Sequence, residues 1–169
     1  MTGDGVLLYD VSGDGQISER REYVFTDWAP GATSDLEALR AVFGADGDGR
    51  LTAADGAFGS FKVMATKADG TSEAKTLAQL GITGIDLRGD ATQIKLPDGS
   101  VITGKTTFTR TNGITGAVGD MVLMAEGEAY RKRGAIRAAR CKVIELTPTR
   151  FLSIKHMRPT QVHNAIGEC

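Results

Sequence analysis

Two short stretches of this chain set oxygen-bearing side chains two residues apart, a spacing suited to wrapping a hard cation. They are Asp10-Val-Ser-Gly-Asp-Gly-Gln-Ile17 and Gly44-Ala-Asp-Gly-Asp-Gly-Arg-Leu51. In a twelve-residue calcium loop, oxygens at positions one, three and five converge on the ion and the carbonyl of position seven joins them. Glycine at position six permits the sharp turn. Asp10, Ser12, Asp14, Gly15 and Gln16 fill those slots in the first stretch, with Ile17 at the eighth. Gly44, Asp46, Asp48, Gly49, Arg50 and Leu51 do so in the second, where Asp55 stands at the twelfth. Arg50 is no obstacle, because its slot uses only the backbone carbonyl.

Each loop departs from the pattern once. The twelfth position of the first is Arg21, and the closing carboxylate must come from Glu22 or Glu19, with Glu22 the better placed. Asp10, Asp14 and Glu22 would then offer three carboxylates to one ion. Unfilled, they would repel one another by on the order of 1 kcal/mol per exposed pair in water. The second loop opens on Gly44 and lacks a charged first ligand, so it is expected to bind less well or only to pair with the first. Missing ligands point to dissociation constants of roughly 10⁻⁴ to 10⁻³ M, the range of extracellular modules.

The flanking elements must present these loops. Val6-Leu-Leu-Tyr9 leads into the first. Ser18 to Trp28 carries Tyr23, Val24 and Trp28 at helical spacing, ended by Pro30-Gly31. Ser34-Asp-Leu-Glu37 is a capping box, opening a helix through Phe43 with Leu36, Leu39, Val42 and Phe43 on one face. Thr52 to Gly59 reads as a short exit helix, and Ile17 and Leu51 are expected to bond across as a small ladder. After Phe61 the period becomes two. Asp69-Gly70, Asp98-Gly99 and Asn112-Gly113 mark three hairpin turns, since tight turns need positive φ. Ile102, Gly104, Thr106 and Phe108 are expected to share one strand face.

The net charge of −1 hides a split. Residues 1–128 hold 11 Lys and Arg against 19 Asp and Glu, whereas residues 129–169 hold 9 against 2. Both cysteines, Cys141 and Cys169, and both histidines, His156 and His163, lie in the basic part, so neither a disulfide nor a zinc framework organises the acidic part. The cluster Arg131 to Lys142 could grip phosphates, but no aromatic residues for base stacking are interleaved with it, which disfavours nucleic-acid binding. A Cys141 nucleophile served by His156 or His163 has no other support. Catalytic elbows, phosphate loops and zinc-protease helices are missing from the sequence, so no enzymatic activity and no small-molecule substrate are expected. No apolar run suits membrane insertion, and the N-terminus has no export signal of the usual basic-then-apolar kind.

The order of Asp10 to Phe25, Ser34 to Phe43, Asp46 to Asp55 and Leu77-Ala-Gln-Leu-Gly-Ile82 resembles the EF-hand-type calcium-binding region of large bacterial secreted proteins related to the RTX haemolysin-type group. The resemblance spans about residues 3–128. It implies a bacterial chain exported without an N-terminal signal, in which calcium met outside the cell drives folding. Such loops usually carry Asp where Gly44 stands, and residues 129–169 match nothing in that group.

The expected fold is therefore α+β: an EF-hand-like loop pair with two main helices over residues 1–60, packed on a small antiparallel β-meander over 61–128. A basic C-terminal extension over 129–169 is expected to be loosely attached or disordered. The expected function is structural Ca2+ binding by Asp10, Ser12, Asp14, Gln16 and Glu22, with Asp46, Asp48, Arg50 and Asp55 as the second set. The rival readings are an adhesion or scaffold module whose threonine-rich sheet meets a protein partner of unknown kind, and weak nucleic-acid binding through the tail.

Overall fold

The computed structural model describes residues 4–16, 18–67, 69, 71–97, 99–123 and 139–145. Among these the dominant element is a nine-stranded antiparallel sheet. Its strands are β1 (Asp4–Tyr9), β2 (Arg50–Thr52), β3 (Phe61–Thr66), β4 (Ser72–Thr76), β5 (Ile82–Asp86), β6 (Ile94–Lys95), β7 (Val101–Arg110), β8 (Thr115–Leu123) and β9 (Ala139–Glu145). They lie in the order β2-β5-β7-β8-β9-β1-β3-β4, with β6 pairing β7 beside β5. The hairpins β3–β4, β6–β7 and β7–β8 form across the three glycine turns.

This architecture corrects the expected α+β fold with two main helices. The one α-helix among the described residues, α1, runs Asp35–Phe43; Ser34 caps it by accepting from the Glu37 amide at 3.1 Å. Glu37 reaches back one residue further than a capping box requires, to the amide and hydroxyl of Thr33. Residues 18–28 form two 3-10 turns, Arg20–Glu22 and Phe25–Asp27, instead of a helix. Tyr-Val-Phe-Thr is a run of aromatic and β-branched residues that lose side-chain freedom in a helix. Here the run splits its side chains between two cores instead, Tyr23 and Val24 in one and Phe25 in the other. The expected exit helix is a series of turns ending in the 3-10 segment Phe58–Ser60. Val42, expected on the buried face of α1, is 41% exposed, and Ala38 is buried with Leu36, Leu39 and Phe43. Leu51 pairs with Ile85 of β5, and Ile17, its expected partner, lies outside the described residues.

The two cores lie on opposite faces of the sheet. Leu7 belongs to the larger one, with α1, Phe25, Phe61, Ile85 and Phe108, while its neighbours Val6 and Leu8 join Tyr23, Val24, Ile102 and Met121. A strand alternates its side chains, so β1 is buried on both faces and reads as an unbroken apolar run. Ile102 and Phe108 fall in different cores, contrary to the shared face expected, because Thr103 is an extra residue in β7 opposite β8. Such a bulge moves everything beyond it to the other face.

The sheet also curls. β2 and β3 are six strand spacings apart in sheet order, roughly 29 Å if flat. The connection from Thr52 to Phe61 runs through consecutive turns closed by the amides of Asp55, Phe58 and Phe61. Each spans less than about 7 Å, so the connection reaches at most about 21 Å. The two ends are drawn together around the larger core. There Phe61 meets the rings of Tyr9, Phe25 and Phe43 with centroids at 5.0, 5.9 and 5.2 Å. Phe61→Ala is expected to cost about 3–5 kcal/mol in urea denaturation; a loss under about 1 kcal/mol would show that these rings do not anchor the curl.

Candidate functional site

The first loop leaves β1 at Asp10, whose amide donates to the Ser60 carbonyl at 3.0 Å. The Asp10 carboxyl then organises the turn beneath it. Oδ1 accepts from the Gly13 amide at 2.8 Å and the Ser12 hydroxyl at 3.4 Å, and Oδ2 accepts from the Gly15 amide at 3.0 Å. Gly13 and Gly15 both sit at φ +75°, a backbone other residues rarely adopt. Ser12 Oγ accepts from the Asp14 amide and Asp14 Oδ1 from the Gln16 amide, so each donor position turns the chain toward the next. Ser12, Asp14 and Gln16 lie at the surface, whereas Asp10 and Glu22 are buried.

Of the two candidate closing carboxylates, Glu22 turns inward and Glu19 outward. Glu19 is exposed and pairs with Arg21, whose guanidinium also covers Trp28 at 5.2 Å. Glu22 is 1% exposed; its Oε2 accepts from the amides of Ser18 and Glu19 at 2.6 and 2.9 Å. Its Oε1 is buried and has no hydrogen-bond partner among the described residues.

The second loop follows α1. A Cβ at Gly44 would lie 3.0 Å from the Arg40 carbonyl oxygen, a tight contact against which an acid there would have to push the end of α1. Asp46 Oδ1 accepts from the Asp48 amide and Asp48 Oδ1 from the Arg50 amide, repeating the turns of the first loop. Asp55, 1% exposed, closes the loop from inside: Oδ1 takes the Ala45 amide and Oδ2 the Thr52 amide, both at 2.8 Å. The Arg50 side chain turns across β5 toward Thr109 Oγ1 at 3.5 Å. The second loop is thus stapled by a carboxylate with both oxygens engaged, whereas Glu22, which follows the first loop, has an oxygen to spare.

Three features carried no signal in the spacing of acids. Lys62, on β3, places its ammonium against Asp10 Oδ2. Burial raises the Asp10 pKa, but Lys62 and the Gly15 and Gly13 amides outweigh it and hold the carboxyl below its ordinary value. A lysine inside the apolar run Phe61-Lys-Val-Met-Ala65 was the available clue. The other two features are Asp35 and Asp120, both buried: Asp120 Oδ2 accepts from the Asp35 amide at 3.1 Å, and Asp35 Oδ1 from the Thr26 amide at 2.9 Å. They tie β8 to the start of α1 and α1 to the turn before it, where the helix dipole favours a carboxylate.

Among the described residues no three Asp, Glu, His or Cys side chains gather as a metal cage, so Asp10, Asp14 and Glu22 do not form the expected carboxylate trio in this conformation. No described helix is long and apolar enough to cross a membrane. Of the basic stretch, only Ala139–Glu145 is described, as backbone in β9, which places Arg140, Cys141 and Lys142 in the sheet. Residues 131–138, His156, His163 and Cys169 lie outside the described residues.

A family model described as the SPM domain matches residues 1–124. The chain is also 29% identical over 153 residues to the iron-regulated protein FrpA of Neisseria meningitidis serogroup C. That alignment takes in 85% of this chain and 14% of FrpA, so the chain corresponds to a small part of its relative.

The Asp10–Lys62 pair gives the molecule an acid sensitivity. A carboxyl held below its ordinary 3.8 contributes stability in full above that pH and loses it as pH falls further, through the lowered value. Lys62→Met is expected to cost about 1–3 kcal/mol at pH 7 and to flatten the fall in stability below pH 3.8. Denaturation at several pH values measures both, and an acid slope unchanged from the parent would show that Lys62 does not hold Asp10.

Proposed function

The chain belongs to the SPM domain family, and on that footing we propose that it binds calcium in a structural role within a larger secreted bacterial protein. The bacterial relative of greater length supports the setting, together with the resemblance to secreted calcium-binding proteins. The single observation carrying the calcium reading is the spare, buried Oε1 of Glu22 at the end of a loop that opens on buried Asp10. A buried carboxylate oxygen without a donor costs about 1–3 kcal/mol or more, and a hard divalent cation is the partner such an oxygen suits.

The residues that would hold the ion are Asp10, Ser12, Asp14, the Gln16 carbonyl and Glu22. Asp46, Asp48, the Arg50 carbonyl and Asp55 form the poorer set, because Asp55 already satisfies two amides and Gly44 leaves the first position bare. Bound there, the ion supplies charge neutralisation and a tie between β1 and the turns of residues 18–28. Asp10 would have to part from Lys62, so the ammonium acts as a resident competitor that weakens affinity. Binding to the folded state alone stabilises by RT ln(1+[L]/Kd), about 1.4 kcal/mol at a tenfold excess over Kd.

Calorimetric titration of the full chain with calcium tests this. The parent is expected to give saturable heat, Glu22→Gln to lose it, and Asp55→Asn to retain the tighter component. Equal heats for the parent and Glu22→Gln would remove the first loop as the site.

A further inference from the structure

β9 occupies an unusual place in the sheet. It lies between β8 and β1, pairing Ala139–Ile144 with Leu123–Val118 on one side and Val143–Glu145 with Val6–Asp4 on the other. Among the described residues it is the only strand joining the two halves, β2-β5-β7-β8 with β6 and β1-β3-β4. Each half has its own hairpin, β7–β8 or β3–β4, and β1 is held independently by five pairs with β3. Both walls of the gap, β1 and β8, fall within the family match of residues 1–124, but the strand that fills it does not. Its ladder with β1 ends at Val6, so only Val143 and Ile144 are gripped from both sides within β9's interior.

We infer that the gap between β1 and β8 is a strand-acceptor site, which takes an extended segment antiparallel to both walls and which the chain fills with its own residues 139–145. Emptied, the gap would expose two unpaired ladder edges in mid-sheet, and such edges bind strands through main-chain hydrogen bonds with little dependence on side chains. The same segment supplied from outside, as a free peptide or from a second copy, meets the same two edges. The family domain is in this view a receptor for a strand, and β9 is its tethered ligand.

The test uses the full chain carrying Val143→Pro, which removes a ladder donor at one of the two residues gripped from both sides. A fluorescent peptide of residues 139–145 is titrated under reducing conditions and followed by anisotropy. The folded variant is expected to bind it saturably with one-to-one stoichiometry. The parent is expected to bind it roughly 100-fold more weakly, the factor for a slot filled about 99% of the time. A peptide carrying the same proline should not bind. A folded variant that ignores the parent peptide overturns the proposal. If the variant does not fold, amide exchange in the parent decides: β9 amides opening well before those of β5 and β7 support a removable strand, and opening together with them refutes it.

Discussion

Three rings, Tyr9, Phe43 and Phe61, meet with centroids 4.7 to 5.2 Å apart, and each stands one residue before a position the candidate site depends on. Tyr9 precedes Asp10, Phe43 precedes Gly44, and Phe61 precedes Lys62. The chain therefore enters the first loop, enters the second and launches the lysine-bearing strand from a single aromatic knot, to which Trp28 adds edge contacts with Tyr9 and Phe43. Packing of large rings is intolerant of small shifts, since a gap of under 1 Å already forfeits much of the dispersion energy. Loops rooted in such packing inherit fixed starting points, although their tips are exposed.

The buried acids wire the backbone. Asp10, Glu22, Asp35, Asp55 and Asp120 are all nearly inaccessible, and each accepts at least one backbone amide, from a loop, a 3-10 turn, the first turn of α1 or the end of β2. Short 3-10 turns and bends leave many donors without partners, and a buried carboxylate can serve two or three at once. This explains how the described residues between 10 and 60, with α1 as their one α-helix, stay compact. It also separates the two loops chemically, because Asp55 spends both oxygens on this task and Glu22 only one.

Local chemistry made some elements legible. Asp-Gly and Asn-Gly turns marked all three hairpins, and Ser34 with a following apolar face marked α1. Other features depend on residues remote in sequence. Tyr23, Val24 and Trp28 are spaced for a helix, but burial of Tyr23 and Val24 on one side of the sheet and of Phe25 on the other decided otherwise. Thr103 looks like its threonine neighbours, yet as the extra residue opposite β8 it reverses the face of the strand. β9 was obscured by Arg140 and Lys142 and by the basic run Arg131–Arg137 before them, which made the segment read as a solvated tail. Of the site, the spacing of Asp10, Asp14, Asp46 and Asp48 was visible at once. The inward turn of Glu22 over Glu19 and the reach of Lys62 needed the folded chain.

The position of β9 sets a timetable. Its residues follow both of its neighbours in the chain, and Val143 meets Val6 across 137 residues of sequence. Long-range pairings of this sort close late, after their loop entropy has been overcome. Among the described strands, the β1 edge that faces β9 has no other partner, so closure of this sheet waits on the last of its nine strands in chain order.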